Sequence, residues 1–206
     1  MPEFGTMGVD WEERINFDRM RRERLQRAKD ALEKSEADVL FIFNQEDVRY
    51  VTGFRHIFSP TAHLGRAAVV LPRGGDPILS TMDMHFGRAN AHWLKPENIL
   101  NKPNIGTEEG TQKWADEIRP RLGKLAEGKI GVDIWTKGLS EWLPRCFPKA
   151  EFINGMPILE KAKVGLQSGT DFGPHGAMHL RMTIATSEAI LNEALDRIEA
   201  TLETLK

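Results

Sequence analysis

Short apolar runs rich in β-formers, each followed by a stretch of helical spacing, confine this chain to a layered α/β architecture. The runs are Ala37–Asn44 (ADVLFIFN), the two halves of Gly65–Ser80 (GRAAVVLPRGGDPILS) and Gly128–Trp135 (GKIGVDIW). They are short, bounded by turn residues and almost uniformly apolar, which is the signature of buried strands. Between the halves of the second run, Pro72 to Pro77 supplies turn chemistry, because glycine permits positive φ and proline fixes φ. A hairpin is therefore expected there. The turn is glycine-rich, but it leads into a strand and not a helix, so it does not cradle phosphate. Further strands are expected near Asn98–Leu100 and over Ala150–Met156.

The intervening segments carry helical spacing. Phe17, Met20, Leu25, Ala28, Ala31 and Leu32 recur on one side of a heavily charged stretch, which predicts an amphipathic surface helix with Asp18 as N-cap or first-turn residue. Its basic run, Arg19 to Lys29, is interleaved with Asp18, Glu23 and Asp30, as on a solvated helix face and unlike a phosphate patch. Gln45–Phe54 reads as a helical turn stopped by Gly53. Helices are also expected over Met82–Trp93, Thr111–Leu122, Leu139–Phe147 and Pro157–Val164. Pro120 should kink or shorten the second of these, and Pro157 suits the first turn of the last. Strands alternating with helices predict an α/β fold, a mixed and largely parallel sheet flanked by helices.

After Val164 the pattern changes. Gly165–Gly176 is dense in glycine and proline and reads as a loop. His179–Thr186 alternates apolar and polar side chains, as a half-buried strand does. Ser187 then caps a helix with an apolar stripe at Ile190, Leu191, Ala194, Leu195, Ile198, Leu202 and Leu205. That stripe needs a cover, either the domain's own surface or a second chain. Three segments are expected: a tag-like start at 1–10, within which residues 1–6 read as vector-derived, an α/β domain at 11–164, and a strand-and-helix appendage at 165–206.

Composition removes several function classes. The formal net charge is −2, and the basic residues are interleaved with acids, so a nucleic-acid module is not expected. No apolar run approaches the roughly 20 residues of a membrane span. The single cysteine, Cys146, can form no intrachain disulfide, which fits a reducing, cytoplasmic setting. Its WLPRCFP context suits a packing residue better than a nucleophile. The histidine pairs His56/His63 and His85/His92, with Asp83 nearby, match no metal-binding motif. No metal site and no catalytic residue is expected.

Two resemblances follow from particular phrases. RMRRERLQRAKDALEKSEADVLFIFNQEDVRYVTGF (Arg19–Phe54), with GKIGVDIW and ILEKAKV later, resembles the N-terminal domain of the creatinase and Xaa-Pro peptidase family over about residues 11–164. The resemblance implies an α/β domain whose partner, a catalytic domain with two divalent metals, lies elsewhere in the family's chains. It implies a non-catalytic part in oligomer assembly and substrate gating, with Phe54, Arg55 and His56 reaching toward a neighbouring subunit's site in a homodimer. Separately, SGTDFGPHGAMHLRMTIATSEAILNEALDRIEATL (Ser168–Leu202) resembles the C-terminal end of class I pyridoxal-phosphate aminotransferases. That resemblance makes Arg181 a candidate carboxylate-binding residue, since a guanidinium pairs a carboxylate in bidentate fashion. The cofactor-binding lysine segment is missing, so no pyridoxal phosphate and no other cofactor is expected. A natural fusion, a truncation product and a recombined gene are all open readings of the junction. The alternative function is a truncated or chimeric hydrolase/aminotransferase fragment that retains carboxylate-ligand binding.

Overall fold

The computed structural model describes residues 16–54, 64–101, 105–163, 166–168 and 180–182, with short pieces at 192–193 and 195–196. Helix α1 (Phe17–Glu33) leads into strand β1 (Val39–Asn44) and helix α2 (Gln45–Thr52). Strands β2 (Leu64–Pro72) and β3 (Ile78–Thr81) follow, then helix α3 (Met84–Asn90) and strand β4 (Ile99–Asn101). Helix α4 (Glu108–Leu122), strand β5 (Lys129–Val132), helix α5 (Lys137–Cys146), strand β6 (Glu151–Asn154) and helix α6 (Met156–Lys163) complete the alternation. Two short strands, β7 (Leu166–Ser168) and β8 (Leu180–Met182), pair with each other beyond α6.

The main sheet has six strands in the order β4-β3-β2-β1-β5-β6. Strand β2 is antiparallel to both β1 and β3, and the other pairings are parallel. Only β2 therefore runs against the rest. The hairpin expected around the Pro72–Pro77 turn is the β2–β3 pair, with Val70 opposite Ile78. Alternate residues of β1 point to opposite faces, as the pleat requires. Val39, Phe41 and Phe43 join the core under α4 and α5, whereas Leu40 and Ile42 join the core under α1, α2 and α6. Both faces are covered, which is why β1 is apolar throughout rather than alternating.

Local chemistry explains most helix ends. Asn16, two residues before Asp18, caps α1 by accepting from the Arg19 amide at 2.8 Å, and Asp18 takes the first-turn position, the second of the two expected for it. The Asp83, Thr107 and Thr136 side chains cap α3, α4 and α5 in the same way. Pro120 does not break α4. It lies in the last turn, where its missing N–H costs one bond, and the helix runs two residues further before tightening into a 3-10 segment, Gly123–Glu127. Cys146 is buried at the end of α5, its Sγ 3.5 Å from Gln112 Oε1, as its sequence context suggests. Helix α3 ends at Asn90, so His85 and His92 do not share a helix; His92 instead lies edge-on to Trp93, with ring centroids 5.0 Å apart. Among the described residues no helix is long and apolar enough to cross a membrane.

Candidate functional site

Two places at the carboxyl edge of β1 gather side chains with more to do than fill space. The first is the exit of α2. The Asn44 side chain caps this helix, Glu46 and Asp47 sit in its first turn and Arg49 in its last, each sign matched to the helix dipole. Gly53 ends it in the left-handed conformation at φ 71°, with its N–H on the Arg49 carbonyl at 2.8 Å. A side chain there would be strained by that φ and would also stand 3.1–3.2 Å from Arg21.

Several bonds then fix where the chain goes. Thr52 Oγ1 donates to the Val48 carbonyl at 2.6 Å and accepts from the Phe54 amide at 3.2 Å. Trp93 Nε1 donates to the Thr52 carbonyl at 2.6 Å, and the Arg21 guanidinium stacks 3.6 Å over the Trp93 ring. Phe54 is 2% exposed, its ring edge-on to Phe86 at 6.1 Å. This makes Phe54 a buried root for the segment that follows it, not a side chain presented at the surface. Arg55, His56 and His63 lie outside the described residues. The described chain resumes at Leu64, which pairs with Asn44 at the end of β1.

The second place is the gap where β1 and β5 part. These neighbours are parallel, and their register ends at Phe41 opposite Val132. Beyond it β1 feeds α2 on one face of the sheet, and β5 feeds α5 on the other. Parallel strands whose connections leave in opposite directions open a crevice at their carboxyl ends. Asp133 fills it. Its carboxylate accepts from the amides of Phe43 at 2.9 and 3.0 Å, Asn44 at 2.9 Å and Ile134 at 2.7 Å. It thus replaces the missing strand pairing and serves the N-terminus of α2 together with Asn44.

Asp133 is 7% exposed and the nearby Asp47 0%. Asn44 Nδ2 donates to Asp47 Oδ2 at 3.1 Å, tying the second acid into the same group. Burial pushes Asp133 up from the ordinary 3.8 to about 6; the Asp47 charge adds to this, and the backbone amides oppose it. The chemistry available here is a carboxyl group that takes up a proton in mildly acidic solution. Among the described residues no group of three or more His, Cys, Asp or Glu could hold a metal ion.

Asp133 is the residue that sequence reasoning passes over. The signal was an acid placed directly after an apolar strand run, GKIGVD, at the end where α/β sheets gather their polar groups. Arg181 is placed by its backbone alone: it lies on β8 opposite Gln167, and its side chain is outside the described residues.

The fold and the α2 exit can be set beside known proteins. The model of the creatinase/prolidase N-terminal domain family matches residues 24–163. The N-terminal domain of Xaa-Pro dipeptidase from Lactobacillus brevis superposes with a TM-score of 0.51 at 16% identity, over 66% of this chain and 98% of that one. The aminopeptidase P (Xaa-Pro aminopeptidase) structure from Streptococcus thermophilus gives 0.50 at 16% identity, over 68% and 96%. The Xaa-Pro dipeptidase from Bacillus anthracis gives 0.50 at 17% identity, over 69% of this chain but 36% of that longer one. At such identities these likenesses establish the fold. No curated protein matches the chain. The family match ends at Lys163, and the aminotransferase resemblance of the following stretch rests on its sequence alone. Over two thirds of its length, with the six-stranded sheet and the α2 turn in place, the chain belongs to the creatinase/prolidase N-terminal domain family.

Proposed function

We propose that the chain acts as the non-catalytic front domain of a creatinase- or Xaa-Pro-peptidase-like metallohydrolase, in oligomer assembly and substrate gating. The domain is taken as residues 11–164, working in the cytoplasm as a homodimer. The observation that carries the reading is the rooted exit of α2. Gly53, Thr52, Trp93 and Arg21 fix the backbone up to Phe54, whose ring is buried. Arg55 and His56 are the next two residues in sequence, and an anchored base is what a substrate-reading segment needs if it is to act without a large ordering cost. The buried, free Cys146 is in keeping with a reducing compartment.

Light scattering coupled to size-exclusion chromatography tests assembly, with a mass of twice the chain expected across a tenfold dilution. Titration with a Xaa-Pro dipeptide, followed by NMR, tests gating. Shifts confined to amides 52–66 are expected, and they should vanish in the Arg55→Ala/His56→Ala variant. A monomer at every concentration, together with shifts that survive the double substitution, defeats the reading.

A further inference from the structure

Between the second half of α1 and helix α6 lies a cleft of about 490 Å³. Its floor is apolar, with Ala31, Ile158 and Ala162, and its rim carries Arg27, Lys34 and Lys161. Asp30 is the acid that the two helices contribute to it, and Asp30 Oδ1 already accepts from Gln26 Nε2 at 2.7 Å. A cleft with an apolar floor and a surplus of cations suits an amphipathic segment that carries acids on one side and aliphatic residues on the other. Arg27, Lys34 and Lys161 make no salt bridge within the domain among the described residues.

The chain holds such a segment, and the topology returns it to the right place. Strands β7 and β8 form an antiparallel pair in which Leu166 faces Met182. Leu166 comes three residues after Lys163, the end of α6. Paired Cα atoms lie about 5 Å apart, so the chain leaving β8 starts again beside the end of α6, a wall of the cleft. Glu193 comes eleven residues after Met182, a reach of about 16 Å as helix and about 36 Å if extended. Glu193 itself lines the cleft. Around it stand Ile190, Leu191, Ala194 and Ile198 at helical spacing, with Asp196 and Glu199 among them.

We propose that the segment 187–205 docks in cis in the α1–α6 cleft. Its aliphatic stripe lies on Ala31, Ile158 and Ala162, and Glu193 is held by the rim of Arg27, Lys34 and Lys161. The cleft is then an interaction surface for an acidic amphipathic helix, and the chain supplies its own. This rests on the cleft and the β7–β8 return and is independent of the gating reading.

Zero-length carbodiimide cross-linking of the full chain tests it, using an equimolar mixture of ¹⁴N- and ¹⁵N-labelled protein. The expected product joins Glu193 to Lys34 or Lys161 within one isotopic species. Hydrogen exchange on the Glu193→Gln chain gives the second readout, with amides of residues 28–34 and 159–163 expected to exchange roughly fivefold faster than in the unaltered chain. Cross-links of mixed isotope content overturn the proposal in favour of a second copy in the cleft. Absence of any Glu193 cross-link to the rim, with exchange unchanged in the variant, overturns it outright.

Discussion

The two faces of the six-stranded sheet are both covered by helices, yet their cores differ in kind. Under α4 and α5 aliphatic residues surround a centre of interlocked aromatics. Phe41 meets Trp114 edge-on at 5.1 Å and Phe147 at 5.3 Å, and Phe43 tilts against Trp114 at 5.8 Å. The Trp114 indole N–H reaches Ser80 Oγ at 3.1 Å, so the largest buried side chain has its polar atom satisfied. Under α1, α2 and α6 the core is aliphatic, from Leu32, Leu40 and Ile42 to Val51, Leu71 and Leu159. Phe54 is the one aromatic residue among its described buried members, and two aromatics nearer the surface meet cations: Arg21 over Trp93, and Arg24 at 5.7 Å over Tyr50. The aliphatic face is ringed by charge and carries the α2 exit and the α1–α6 cleft.

The largest effect that sharpens this contrast is expected from Trp114→Ala. Removing the central ring should cost about 3–5 kcal/mol in urea unfolding, while native-state exchange at residues 45–54 keeps its local pattern. If those amides lose protection first, the two faces are not separable.

Asp133 stands between the faces, and its substitution comes second. Its folded value of about 6 lies above the ordinary 3.8. The contribution from this group is therefore fully present below about 3.8 and fades as pH rises through about 6. The slope is at most about 1.4 kcal/mol per pH unit, one proton's worth. Asp133→Asn should flatten that part of the stability profile between pH 4 and 6, and should cost about 1–3 kcal/mol at neutral pH by mismatching the amides of Phe43, Asn44 and Ile134. An unchanged pH profile would mean that Asp133 does not carry the proton.

The smallest of the three belongs to the aliphatic side. Gly53→Ala places a side chain at φ 71° and against Arg21. A loss of about 1–2 kcal/mol is expected, with faster exchange confined to residues 49–54 and the Trp114 environment untouched. A change spread over both faces would remove the distinction.

The strands are legible in sequence because each central one is buried on both sides and so is nearly pure in apolar residues. The β2–β3 turn is legible because Pro72 and the glycines after it admit few other conformations. Helix ends are less so: Asn16 and Asp18 are both good caps, and only the amide of Arg19 decides between them. Pro120 misleads because its cost depends on which turn of the helix it occupies. The α2 exit is half legible. Gly53 announces the stop, but Arg21 and Trp93, which clamp it, are distant in the chain and acquire their role only through folding. Asp133 is the extreme case. Its ligands, the amides of Phe43 and Asn44, lie 90 and 89 residues away, and no local pattern encodes a partner at that separation.

Strand β1 also fixes an order of assembly. On one side it meets β2, which follows it after α2 and pairs in turn with β3 across a short turn. On the other it meets β5, reached only after α3, β4 and α4 have been laid down. Loop-closure entropy makes the first set of contacts quick and the second slow. During synthesis the three-stranded meander can therefore form while β5 is still unmade, leaving one edge of β1 bare. The carboxylate that later spans the gap between β1 and β5 acts as the latch of the final step. It arrives with the late half of the sheet, and the amides of Phe43 and Asn44 that it grips are already waiting on the early half.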